Sequence, residues 1–219
     1  MNTLDMKKIE KTISNLKRNN MLGFYCETKE EALEKVLSLL NEGDTVTNGG
    51  SETLKEIGVI DAVKNGNFNY VDRSAAGSKE EAEELMREAY FADAYLTSSN
   101  AVTEYGELYN VDGNSNRVSA ILYGPKSVIV VCGYNKIVKN FDEAVYRVKT
   151  QAAPPNTKRL HTGAYCETAG ECLSCGSDGS FMCDGCRGDG RICCNYVVCA
   201  QQRHKDRIKV ILVGEKLGY

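Results

Sequence analysis

The densest chemistry in the chain lies in "CETAGECLSCGSDGSFMCDGCRGDGRICC". This stretch, from Cys166 to Cys194, places seven of the ten cysteines within 29 residues, with Cys199 close behind. Thiolates are soft ligands suited to zinc and to iron–sulfur clusters. Two CxxC turns, Cys172/Cys175 and Cys183/Cys186, are separated by seven residues, and two such turns complete a tetrahedral zinc site. "CDGCRGDG" also has the CxxCxGxG form of the zinc repeats of some chaperones. A second arithmetic uses more of the segment. Cys166, Cys172 and Cys175 supply three thiolates, with Cys193 or Cys194 as a fourth, and Cys183, Cys186 and Cys193 make another closely spaced set. Four thiolates hold one four-iron cluster, so one cluster, two clusters, or a cluster and a zinc are all compatible with the spacing. His161 and His204 flank the segment as substitute ligands.

Disulfides are the third reading, and the rest of the chain weakens it. The N-terminus "MNTLDMKKIEKTISNLKRNN" lacks the apolar stretch of a secretory leader and reads as an amphipathic helix with Ile9, Ile13 and Leu16 on one face. The expected compartment is therefore the cytoplasm, where thiols stay reduced. Only Cys26 and Cys132 precede residue 160, and each reads as a small buried hydrophobe. The net charge of −3 with scattered basic residues gives no nucleic-acid footprint, and no apolar run is long enough to span a bilayer.

Two further constellations can bind or react. "TVTNGGSETLKEIG" is a strand, a glycine turn and a helix start. Gly49 and Gly50 allow close backbone approach, and Ser51 or Thr53 can cap the helix and hold a ligand oxygen. It is neither GxxxxGK[ST] nor GxGxxG; as a plain structural feature it is a capped turn. "TSSNAVTEYGELYNVDGNSNRV" gathers Asn100, Glu104, Asp112, Asn114, Asn116 and Arg117 around glycine turns after a strand. Glu104 is the candidate general base or nucleophile, against the plainer reading of a solvated hairpin carboxylate.

The elements that must position these residues alternate between strand and helix. "GFYCE", "DTVTNGG", "FNYVDR", "DAYLTSS", "SVIVVCG" and "RIKVILVGE" read as strands. "TKEEALEKVLSLLNEG", capped by Thr28, and "SKEEAEELMREAYFA" read as helices. The stretch from Val102 to Gly124 reads as a hairpin or meander. "NFDEAVYRVKTQAA" reads as a helix that must stop near Pro154 and Pro155. The pattern predicts an α/β fold with an open mixed sheet flanked by helices. The predicted units are an α/β domain over 1–160, a cysteine-rich metal-binding segment over 161–203, and a final strand over 204–219 that returns to the sheet. The cysteine segment has few large apolar residues, so a metal would replace the missing core.

"NGGSETLKEIGVIDAV", "FNYVDR", "LTSSNAVTEYGELYNVDGNSNRV", "GPKSVIVVCGYNKIVKNFDEAVYRVKTQAAPPNTKRL" and "RIKVILVGEKLGY" together resemble the LUD-domain (lactate utilisation, DUF162) family. The resemblance spans nearly the whole chain in order. It implies a fold similar to ribose phosphate isomerases and CoA transferases, and for some members an iron–sulfur role with flavin-type partners in oxidation of lactate. The cysteine-bearing branch carries C-x5-C-x2-C and then a cysteine in "RIC". Cys166, Cys172 and Cys175 match the first part, while Cys186 and Cys193 match the last. The extra "GSDGSFMCDGC" looks like an insertion repeating the CxxC step, so the ligand set stays open between the two pairs. By analogy with CoA transferases, the resemblance assigns a nucleophile role to Glu104, and it makes the glycine loop a phosphate or CoA contact.

Three functions follow as expectations. The first is a redox protein with a 4Fe-4S cluster, passing electrons to or from a partner protein or flavoprotein in oxidation of lactate or a related hydroxy acid. The second is an acyl-transfer or isomerase-type enzyme with structural zinc, acting on an anionic small molecule. The third is a zinc-stabilised interaction protein.

Overall fold

A computed structural model describes residues 3–176 and 182–219. The N-terminal helix α1 (Thr3–Arg18) leads into β1 (Leu22–Cys26) and α2 (Lys29–Ser38). Thr28 caps α2 by accepting from Glu31 N, the arrangement expected from its sequence. β2 (Thr45–Asn48) runs through the glycine turn into two short helices, α3 (Glu52–Glu56) and α4 (Val59–Asn65). There follow β3 (Asn69–Tyr70), α5 (Lys79–Glu88), β4 (Ala94–Thr97), β5 (Ala101–Thr103), β6 (Leu108–Asp112), α6 (Asn116–Leu122), β7 (Ser127–Gly133) and β8 (Ile137–Val138). The chain ends with α7 (Phe141–Arg147), α8 (Ala153–Leu160), α9 (Tyr165–Ala169), β9 (Asn195–Cys199) and β10 (Ile208–Val213).

Six strands in the order β1-β10-β7-β4-β2-β3 form one sheet, and every pairing in it is parallel. Both faces are covered, as a parallel sheet requires. Val128, Val130 and Cys132 of β7 point to the α1 and α6 side with Ile9, Leu16 and Ile121. Ile129 and Val131 alternate to the other side, against Ala32, Val36, Leu54 and Val63. Cys26 and Cys132 are buried within these two layers, in agreement with their reading as small core residues.

The antiparallel pairing expected from the hairpin is present, but it lies in a second sheet, β8-β5-β6-β9. There β6 pairs antiparallel with both β5 and β9. The cysteine segment is thus attached to the α/β body through β9 before the chain returns in β10.

Two local expectations are corrected. Residues 116–122 form α6 rather than the end of a meander. The prolines start a helix instead of stopping one: α7 continues through a π-helical stretch, Val148–Ala152, into α8, with Pro154 and Pro155 in its first turn. Proline lacks an N–H but needs none there, since first-turn donors have no intrahelical acceptor.

Candidate functional site

The order of the six-stranded sheet defines where a crevice must form. From β2 the chain moves outward to β3, then returns to the opposite side of β2 to lay down β4, β7 and β10. The switch lies between β2 and β4, and the carboxyl ends of strands at such a point diverge and leave a cleft. The residues following β2 are Gly49, Gly50 and Ser51. Those following β4 are Ser98, Ser99 and Asn100, and β7 is followed by Lys136. Gly50, Ser51, Ser98, Ser99, Asn100 and Lys136 all line a cleft of about 700 Å³, a size suited to a small organic ligand.

Each residue predicted for this region has a definite place. Gly49 is packed behind the cleft wall: a Cβ there would lie 2.8 Å from Tyr95 Oη and 3.1 Å from Arg117 Cγ. Gly50 is open except for Arg73, whose Nη2 would sit 3.0 Å from an added Cβ. Ser51 caps α3 by accepting from Leu54 N at 3.3 Å and also lines the cleft. The helix it caps has five residues. Thr53 is fully buried and accepts from Lys136 Nζ at 2.9 Å. Asn114, Asn116 and Arg117 line the opposite wall.

Arg117 was expected to bind ligand, yet its guanidinium is committed to the protein. Nη1 donates to Asn110 Oδ1 (2.6 Å) and Ser98 O (3.4 Å), and Nη2 donates to Asn100 Oδ1 (3.0 Å) and Val111 O (2.7 Å). Nε pairs with Asp112 Oδ2 at 3.2 Å. A guanidinium has five N–H donors, and these contacts account for them. Arg117 therefore braces the wall that carries Asn100 and Asn114.

Glu104 stands apart from the cleft. Its carboxylate pairs with Lys11 of α1 at 2.7 Å, and its backbone carbonyl accepts from Asn15 Nδ2. The β5–β6 turn carries it against α1, which neutralises it there. Glu104, expected as base or nucleophile, lines neither the cleft nor the thiol cavity.

The cysteine segment forms the remaining wall. Cys166, Cys172, Cys186 and Cys193 line one small, mainly apolar cavity, together with Tyr109, Val145, Val148 and Ala164. Each CxxC pair thus contributes one thiol. Cys175 is half-buried and sits one turn from Cys172, while Cys183 and Cys194 are exposed. The cavity residues come from α9, β6 and the α7–α8 helices, so β9 and α9 position the thiols against the second sheet. Arg191 pins the loop by donating to the carbonyls of Cys183, Cys186 and Cys193, each at 2.7 Å. Gly190 makes this possible, since a Cβ there would lie 2.1 Å from Thr162 O.

The thiol environment is electrically one-sided. Burial, followed by Cys166 and Cys172, pushes the Cys193 thiol up to about 12, with Arg191 opposing. Burial also raises Cys166. Several buried like groups cannot ionise together without a cation between them. Tyr109 lines the same cavity, and among the described residues its buried hydroxyl has no hydrogen-bond partner. Buried hydroxyls are normally paired. Among the described residues, no three His, Cys, Asp or Glu side chains converge tightly enough to hold a single metal ion. His161 is exposed and faces Glu167 at 4.0 Å.

The residues missed by sequence reading are Lys136, Arg73 and Tyr109. Lys136 carried a usable signal, since it follows the continuous apolar strand "SVIVVCG" at its carboxyl end. Tyr109 and Arg73 carried none, because only the folded chain brings them to the cavities.

A parallel α/β core with its cleft at the switch between β2 and β4, walled on one side by a cysteine-rich segment, is the class of architecture these features define. The LUD domain family model matches residues 9–213, and the chain belongs to that family. Among solved structures it is similar to a DUF162 family protein from Deinococcus radiodurans. The two share 15% identity with a TM-score of 0.51 over 95% of this chain and 96% of that one, a likeness of fold. A partial likeness to ribose 5-phosphate isomerase A from Methanocaldococcus jannaschii covers 61% of this chain and 66% of that chain, at 17% identity and a TM-score of 0.35. No curated protein matches the sequence. Among the described residues, no helix is long and apolar enough to cross a membrane.

Proposed function

We propose that this LUD-domain protein is a redox protein. In this reading Cys166, Cys172, Cys186 and Cys193 hold a 4Fe-4S cluster beside a cleft that receives an anionic small molecule of the hydroxy-acid class. The single observation that carries it is the position of Cys193, which lines both the thiol cavity and the cleft. A group held by these thiols would stand at the wall of the ligand space.

The residues fit such a group in three respects. Four thiols ring a cavity instead of closing on one point. A tetrahedral zinc holds its thiolate sulfurs only about 3.8 Å apart, given a Zn–S bond of ~2.3 Å, whereas a polynuclear core spreads them further. The Tyr109 hydroxyl, without a partner among the described residues, is available to donate to sulfur, and such hydrogen bonds are one of the protein's means of setting a cluster's potential. The mainly apolar walls lower the dielectric around the thiols.

When bound, a 4Fe-4S cluster supplies one-electron transfer. Oxidation of a hydroxy acid to an oxo acid releases two electrons and two protons, so the hydride step is assigned to a partner flavoprotein. This chain's own residues would bind the anion, exclude water from the thiol cavity and fix the distance between them.

The test is anaerobic purification with iron, acid-labile sulfide and zinc measured per chain beside the visible and electron paramagnetic resonance spectra. About four irons and four sulfides per chain, with colour that bleaches on dithionite, are expected. One zinc without iron overturns the reading and leaves the thiols a structural knot.

A further inference from the structure

The floor of the cleft contains a cation that has no ion-pair partner among the described residues. Lys136 is 4% exposed and lines the cleft. An ammonium has three donors. One goes to Thr53 Oγ1 at 2.9 Å and one to Ser98 Oγ at 3.0 Å. Both acceptors are neutral hydroxyls, and among the described residues no acceptor takes the third N–H. No carboxylate there lies within ion-pair distance of Nζ. The charged and titratable neighbours are Cys132 of β7, Arg147 of α7, Arg117 of α6 and Glu56 of α3. Arg147 is itself buried, and its guanidinium is directed to the carbonyls of Asn135 and Asn100. Arg117 is neutralised by Asp112. Glu56 accepts from Gly218 N at 2.7 Å and keeps its charge, favouring the ammonium from beyond ion-pair distance.

A buried charge ordinarily has a partner, because desolvation without one is costly. Across the mouth, Arg73 lies beside Gly50 and likewise lines the cleft. Among the described residues it has no ion pair or hydrogen bond. Two unsatisfied cations, one buried and one half-exposed, therefore face one cleft at the switch point of the sheet.

We propose that Lys136 and Arg73 form an oxyanion subsite that anchors the carboxylate or phosphate of a small organic acid, with Lys136 donating its third N–H to the bound oxygen. This deepens the redox reading and rests on it only for the identity of the acid. The anion supplies the counter-charge that the fold withholds, and Thr53 and Ser98 hold the ammonium directed at it. Asn114, Asn116 and Asn156 on the walls offer amides to the acid's hydroxyls. Burial lowers Lys136 to about 8, so the free site loses its charge just above neutral pH. An anion favours the charged lysine, so binding above pH 8 takes up a proton and weakens as pH rises.

The experiment is isothermal titration of the full chain with lactate, pyruvate, ribose 5-phosphate and inorganic phosphate at pH 7, with iron content measured on the same sample. At least one organic acid is expected to bind. Lys136→Met should weaken it by about tenfold or more, the worth of a buried charge-assisted hydrogen bond, and Arg73→Gln by a smaller factor. Wild-type affinity should fall between pH 7.5 and 9.5, and that of Lys136→Met should not. Preference for lactate or pyruvate assigns a carboxylate; preference for the sugar phosphate assigns a phosphate. Should Lys136→Met fail to fold, the Arg73→Gln effect and the wild-type pH profile decide. Absence of binding by all four probes, or binding unchanged in both variants, overturns the subsite. A sample without iron that still binds the acid through Lys136 removes the redox reading and leaves the subsite standing.

Discussion

Arg117 and Asp112 face each other across 3.2 Å at the cleft wall, both largely buried, and the pair locks the end of β6 to the start of α6. Asp112 also accepts from Ser115 N at 2.9 Å, and its own carbonyl accepts from Cys194 N at 3.2 Å. One ion pair thus braces the glycine turn, the asparagine wall and the cysteine segment.

Arg117→Met should therefore lower stability by about 3–5 kcal/mol, since it leaves a buried carboxylate and several carbonyls without their donor. Chemical denaturation measures this directly. Loss of ligand affinity at unchanged stability would instead make Arg117 a binding residue.

The proposed cluster takes one thiol from each CxxC pair, Cys172 and Cys186, which line the cavity. Cys172→Ser and Cys186→Ser should each remove most of the bound metal, and Cys175→Ser and Cys183→Ser should retain it. Metal analysis of the four variants checks the assignment. Loss in the second pair of variants with retention in the first would reverse it.

Tyr109→Phe removes a buried hydroxyl that has no partner among the described residues. In metal-free protein the change should be neutral or stabilising by up to about 1 kcal/mol, because no protein hydrogen bond is lost. If the hydroxyl donates to cluster sulfur, the same change should lower the reduction potential of the loaded protein. An unchanged potential would leave Tyr109 a packing residue against Phe141, whose ring lies 5.0 Å away.

The pH dependence of stability follows from Lys136. Its folded value of about 8 lies below its ordinary 10.5, so the unfolded chain binds more protons between these values. Stability from this group therefore rises with pH across that window, and below about pH 8 the full cost of the buried charge is present. The gain approaches about 3 kcal/mol by pH 10.5. Melting of wild type against Lys136→Met between pH 7.5 and 10 should show the wild type gaining on the variant. A constant difference would mean that the lysine titrates normally.

Much of the architecture is legible along the chain because it depends on neighbours in sequence. The apolar run of β7 is continuous because both sheet faces are covered. Thr28 and Ser51 cap helices through bonds three residues ahead. The proline pair misleads at this level, since a first-turn proline and a helix-stopping proline look alike until the π-helical stretch before it is seen. Gly49 and Gly50 are adjacent in sequence, yet Tyr95 and Arg117 crowd only the first.

What the sequence by itself determined is local and compositional: an alternating α/β chain, a capped glycine turn, and a thiol-rich segment too poor in apolar residues to make its own core. Tertiary structure alone decided which thiols meet, since Cys172 and Cys186 line one cavity with Tyr109 of β6. It also decided that Glu104 faces α1, that Arg117 is a brace, and that Lys136, beneath the cleft, has no ion-pair partner among the described residues. Those outcomes depend on the order of strands in the sheet. Strand order is fixed by long-range packing, which spacing along a chain does not record.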